Sequence, residues 1–160
     1  MDVERFVKVS HGDLGDSEED SAFLAAMADE ALDYLTSFEW CGGVTDFRFG
    51  VGVGKVIALF LLQVEPAALK GKPLPRSGEY VWVVVGDIPS AYLETDGIHD
   101  PFVALAEYCE LMIDWADEVL AGGDLGECFP VKATASKDNA RDLQSRIRTI
   151  RDLFSLPEVL

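Results

Sequence analysis

Lysine and arginine are missing from residues 77–131 of this chain, a run of 55 positions that carries twelve aspartates and glutamates. The imbalance is local: residues 1–131 hold 25 acids against seven bases, whereas residues 132–160 hold six bases and four acids. With a formal net charge of −16, the surface repels nucleic acid and anionic membrane. It attracts cationic partners and speeds their encounter. Cysteine is also scarce. Cys41, Cys109 and Cys128 are odd in number and widely spaced, which fits three reduced thiols in a cytoplasmic protein rather than a disulfide framework. The longest apolar run, residues 56–62, is far too short for a membrane span. No apolar core with a small-residue cleavage site follows Met1, so a secretory signal is not expected.

What is present argues for a folded chain. Hydrophobic residues make up 49% and aromatics 10% of 160 residues, too many for an intrinsically disordered acidic tail. The length favours one domain, expected over residues 17–160 behind a flexible leader at residues 1–16. Within that leader, residues 6–9 read as a short strand.

The first helix is expected from Ser17, whose hydroxyl suits the free N–H groups, with Glu18 and Glu19 at the positive helix end. Phe23, Leu24, Met27, Ala31, Tyr34, Leu35 and Phe38 recur at helical spacing, and Cys41-Gly42-Gly43 ends the pattern. Strands follow at residues 44–51 and 56–64, joined by a turn at Gly52-Val53-Gly54-Lys55. Three prolines and two glycines make residues 66–78 a loop. Residues 79–85, β-branched and aromatic, read as the clearest strand, and residues 90–94 as a short edge strand. A second helix starts at Pro101 behind Asp100 and stops at Gly122-Gly123. A third, capped at Ser136, carries Ala140, Leu143, Ile147, Ile150 and Phe154 on one stripe. The order implies an α+β fold: an antiparallel sheet of three to four strands with three main helices packed mainly on one face.

Carboxylates at Glu107, Glu110, Asp114, Asp117 and Glu118 follow the three-four rule of the second helix and crowd one surface. A solvated outer face is the plain explanation. Yet no lysine relieves the repulsion within the helix, which points to relief by a basic partner in trans. Trp115 sits beside the stripe, where an aromatic rimmed by carboxylates suits a docked cation. Trp40, at a helix-to-strand turn, is a second candidate anchor; Tyr92 is weighed with it, and Trp82 reads as core.

Other chemistry has less material. Asp96-Gly97-Ile98-His99-Asp100, with Asp87 nearby, gathers carboxylates and an imidazole, but a helix-entry loop accounts for it without a metal. No segment matches the twelve-residue calcium loop. Gly50-Val51-Gly52-Val53-Gly54-Lys55 is followed by valine and a strand, so it is a turn and not a phosphate loop. Cys109 falls on the apolar helix face, and Cys41 and Cys128 have no histidine near in sequence. No catalytic residue, metal site or cofactor is expected.

Residues 82–93, the helix from Pro101 and Phe129-Pro130-Val131 resemble small acidic bacterial proteins, over residues 82–153. In size and charge the chain is also similar to toxin-immunity proteins. That likeness implies a cytoplasmic, non-enzymatic domain that neutralises a basic toxin such as a nuclease, through Glu107, Glu110, Asp114, Trp115, Asp117 and Glu118. Two alternatives stand beside it. One is a small acidic type III secretion chaperone, dimeric, with an exposed seam along Leu143, Ile147 and Ile150. The other is a metal-dependent hydrolase using Asp96, His99 and Asp100.

Overall fold

A computed structural model describes residues 1–12, 14–67 and 76–156. Among the described residues, three α-helices and four antiparallel strands make the α+β fold expected from the sequence. The loop anticipated over residues 66–78 falls largely on residues 68–75, outside the described residues. The chain divides into two compact units, Met1–Pro101 and Phe102–Leu160.

In the first unit, helix α1 spans Glu18–Thr36 and strands β1 to β4 span Cys41–Val53, Ile57–Pro66, Glu79–Gly86 and Ala91–Glu94. Ser17 caps α1, its Oγ accepting from Asp20 N at 3.1 Å. The helix ends earlier than the apolar stripe suggests. Thr36 Oγ1 donates to Leu32 O (2.7 Å) and Ser37 Oγ to Tyr34 O (2.6 Å), so hydroxyls take up carbonyls of the last turn. Phe38 therefore lies beyond the helix.

The strands pair in sequence order, β1-β2-β3-β4, the arrangement that short antiparallel connections favour. Strand β1 pairs with β2 along its whole length, with register shifts at Cys41/Gly43, Val44/Asp46 and Phe49/Val51. Bulges of this kind let a long edge strand stay paired while it twists. The turn between them is tighter than the glycine pattern suggests, at residues 54–56, with Lys55 at φ 70°. Helix α1 holds it: Asp20 Oδ1 accepts from Gly54 N at 2.9 Å, and Lys55 Nζ lies 4.3 Å over the Phe23 ring.

Strands β2 and β3 are buried on both faces, which is why they read as continuous apolar runs instead of alternating ones. One face, with Ala58, Phe60, Leu62, Val64, Val81, Val83 and Val85, packs with Leu24, Met27, Ala28, Ala31 and Leu35 of α1. On the other, Leu59, Leu61, Trp82 and Val84 are all 0% exposed. Trp82 Nε1 donates to Ile98 O at 2.9 Å, and Phe6 meets the ring edge-on at 5.6 Å. At the end of β3, Gly86 has φ +145°, and a Cβ there would meet Val56 O at 2.3 Å. Only glycine fits that approach.

The segment expected as a leader is stitched to the sheet. It forms 3-10 turns at Val3–Arg5 and Val9–His11, and Lys8 bridges Arg48. Val7 O accepts from Phe49 N at 2.8 Å, on the outer edge of β1.

Helix α2 spans Pro101–Ala121, all but its first residue in the second unit, which also holds α3 at Lys137–Leu153. Gly122, at φ +68°, ends α2: its N–H bonds Val119 O (3.2 Å) while Gly123 N–H bonds Glu118 O (2.9 Å). This paired closure satisfies carbonyls a helix end leaves open. Ser136 caps α3, its Oγ accepting from Asn139 N at 3.1 Å. Among the described residues no helix is long and apolar enough to cross a membrane.

Candidate functional site

The acidic stripe of α2 divides in two. Successive helix residues turn by about 100°, so Glu107, Asp114 and Glu118 share one side, while Glu110 and Asp117 lie toward another. Helix α3 attends to the second set. Arg151 Nη2 is 3.6 Å from Glu110 Oε2, and Gln144 Nε2 donates to Asp117 Oδ1 at 2.8 Å. Phe102 and Phe154 meet at 6.3 Å. Contacts that advance along α2 as they retreat along α3 make the helices antiparallel. A groove of about 310 Å³ lies between them, lined by Ile113, Gln144, Arg148, Arg151, Asp152 and Leu156. The basic C-terminal helix thus neutralises part of the stripe in cis.

Glu107, Asp114 and Glu118 remain exposed and, among the described residues, take no part in an ion pair. The chain turns at Gly122 and brings more acid to the same neighbourhood: Asp124, whose Oδ1 accepts from Gly126 N at 2.8 Å, and Glu127. The Cys128 thiol registers this convergence. Burial pushes its pKa up, and the charges of Glu118, Asp114, Asp124 and Glu127 push it further in the same direction. Trp115 does not belong to this surface. It is 3% exposed, because it faces inward where the helix buries its apolar side, so it offers no ring to an incoming cation. That corrects its place among the binding residues.

The residues of the second cluster raised by the sequence have other partners. Asp100 pairs with Arg5 at 3.7 Å, and the same guanidinium donates to His99 O. Asp96 and His99 line an open cleft of about 730 Å³ together with Glu79, Tyr80, Glu94 and Thr95. Among the described residues, no group of three or more His, Cys, Asp or Glu is arranged to hold a metal ion.

A network centred on Arg48 escaped the sequence reading. Its side chain is 6% exposed and buried in the edge of the sheet. Nε meets Asp46 Oδ2 at 2.7 Å, Nη1 donates to Phe6 O at 3.0 Å, and Nη2 reaches Glu4 Oε1 at 3.3 Å. Tyr80 Oη donates to the same Asp46 oxygen at 2.6 Å. Burial works to raise the Asp46 pKa. The hydrogen bonds from Tyr80 and Arg48, the Arg48 charge and the Phe47 N–H outweigh it, and the carboxyl ends below its ordinary range. Tyr80 is pushed up to about 12, by burial first and then by its bond to Asp46. The available signal was Asp46 and Arg48 two apart on a strand, hence on one face. Each of the three guanidinium nitrogens bonds a partner, two of them in the amino-terminal segment, so the cluster clamps that segment to β1.

The thiols and aromatics fall as follows. Cys109 is buried, which pushes its pKa up to about 11 against the opposing pull of Arg151. Cys41 and Cys128 are half-buried. Trp82 is core, while Trp40 and Tyr92 are half-buried and in contact at 5.3 Å. No protein family model, curated protein or solved structure matches the chain.

Proposed function

We propose that this is a non-enzymatic, cytoplasmic, acidic protein-binding domain that acts as an immunity protein, covering the substrate-binding surface of a basic toxin such as a nuclease. The observation that carries the reading is the row of exposed Glu107, Asp114 and Glu118 on one side of α2, followed past the end of that helix by exposed Asp124 and Glu127. Those carboxylates stand where the phosphates of a nucleic acid would meet the toxin. They steer encounter, and their like-charge repulsion is relieved when a basic surface arrives. Glu110 and Asp117, engaged by α3, support the face from behind and drop out of it. The Tyr80 phenol and the Cys109 thiol, both held far above neutrality, are poorly placed to act as a base or a nucleophile at neutral pH.

The chaperone alternative calls for an apolar seam open to a client, yet Leu143, Ile147 and Ile150 are 4%, 0% and 1% exposed. The hydrolase alternative calls for a free Asp100, which Arg5 engages. Capture from a lysate of the native cell at low and at high salt tests the reading. One basic protein retained in stoichiometric amount, and captured more slowly as salt rises, is the expected result. Retention of many unfolded clients points to the chaperone, and stoichiometric divalent metal in the purified protein points to the hydrolase.

A further inference from the structure

Where α1 gives way to β1, the chain assembles an aromatic patch from residues far apart in sequence. Trp40 stacks on Phe38 at 5.7 Å with 24° between the rings. Tyr92, from β4, meets Phe38 at 5.2 Å and Trp40 at 5.3 Å, both edge-on, and Tyr34 meets Phe38 at 5.2 Å. Burial and the neighbouring Tyr92 push the Tyr34 phenol up to about 12. Each of the four rings is only half-buried. Tyr34, Trp40 and Tyr92 lean on the hydrophobic core, and each of the four rings keeps part of its surface exposed, so the cluster is neither wholly core nor wholly surface.

The surroundings define what fits there. Residues 9–47 contain no lysine or arginine and ten acids. Asp33 precedes Tyr34 and is exposed; Glu94, two residues after Tyr92 on the same face of β4, is exposed as well. Elsewhere in this unit the chain stacks its own cations on rings, Arg5 on Phe6 and Lys55 on Phe23. Among the described residues none stacks on Phe38, Trp40 or Tyr92. An aromatic centre with a carboxylate rim is complementary to a planar cation. Arginine matches better than lysine, because the guanidinium stacks flat on a ring while its N–H groups reach the rim. Contacts of this kind, a ring anchor within a polar border, carry most of the energy of many interfaces.

We propose that the patch formed by Tyr34, Phe38, Trp40 and Tyr92, with exposed Asp33 and Glu94 close to it in sequence, seats an arginine side chain of the basic partner protein. This rests on the reading of a basic partner and adds slow dissociation to the steering that α2 supplies.

Labelled nona-arginine and nona-lysine, followed by fluorescence anisotropy at low salt, serve as probes of equal charge. The intact protein is expected to bind nona-arginine about threefold to fivefold more tightly. Trp40→Ala should erase that preference and leave nona-lysine affinity unchanged, while Trp40→Phe, which keeps a ring, restores most of it. In the unmutated protein, titration with nona-arginine should shift the Trp40 indole N–H resonance, a readout that survives if Trp40→Ala misfolds. Equal affinity for the two peptides, a preference that persists in Trp40→Ala, or an unmoved Trp40 resonance overturns the proposal. Asp114→Lys/Glu118→Lys should weaken both peptides alike. If those substitutions change nothing while the arginine preference stands, the role of α2 fails and the aromatic seat survives.

Discussion

Replacing Arg48 by methionine removes a buried cation while roughly keeping its volume. The guanidinium, 6% exposed, then no longer meets Asp46, whose side chain is 13% exposed. Asp46 keeps the Tyr80 hydroxyl and the Phe47 N–H, so it is impoverished but not abandoned. The expected loss at pH 7 is about 2–3 kcal/mol, the cost of leaving a charged, buried acceptor short of one partner. Glu4 adds little, being 81% exposed in its pairing with Arg48. The pH dependence gives a sharper check. In the native protein the Asp46 pKa is depressed, so its contribution is present above the unfolded pKa and fades as pH falls through the folded value. In Arg48→Met the carboxyl loses the Arg48 hydrogen bond and charge, so its pKa moves up from the depressed native value and less of that contribution remains. The stability gap between the two proteins should therefore be widest near neutrality and close on acidification below about pH 4. Urea unfolding followed by circular dichroism from pH 7 to pH 3 measures it. A gap below about 0.5 kcal/mol at pH 7, well under the cost of a stranded buried charge, or one that does not change with pH, refutes the clamp.

Three further outcomes test separate parts of the account. The Cys128 thiol should alkylate slowly for its exposure, with a pH–rate midpoint above that of free cysteine. Asp114→Asn/Glu118→Gln should lower that midpoint, as resolved by peptide mass spectrometry, and an unmoved midpoint would mean the carboxylates do not converge on it. Trp82→Phe loses the bond to Ile98 O and should cost about 1–2 kcal/mol in urea unfolding, whereas Trp82→Tyr, with its hydroxyl misplaced, should cost more. Gly122→Ala forces a Cβ into a left-handed position and should cost about 1 kcal/mol; a neutral result would mean that the end of α2 is not closed by that turn.

Much of the fold was legible where local chemistry decides it. Ser17 and Ser136 cap α1 and α3 as their positions suggest, and Pro101 and Gly122 bracket α2 because one suits a helix start and the other a left-handed stop. The edges were less legible where tertiary pairing decides. Strand β1 runs from Cys41 to Val53, beyond the span of residues 44–51 expected from the sequence, because β2 pairs with it throughout. The α2 stripe was readable as a row of like charges. Its partition was not, since that depends on where Arg151 and Gln144 of α3 come to lie. Trp115 was misassigned because a periodic pattern places a residue near a face boundary without saying which side wins. The grouping of Trp40 with Tyr92, 52 positions apart, follows only from the return of the chain through four strands.

The central claim, that the open side of α2 recruits a basic protein, is tested most directly by stopped-flow association with the partner captured from lysate. Native protein and Asp114→Lys/Glu118→Lys would be compared over a range of ionic strength. A drop of about tenfold in association rate at low salt, with a flattened salt dependence and a smaller change in dissociation, is the predicted result. Identical association rates and identical salt slopes would contradict it, and would leave the carboxylates of α2 as a solvated face.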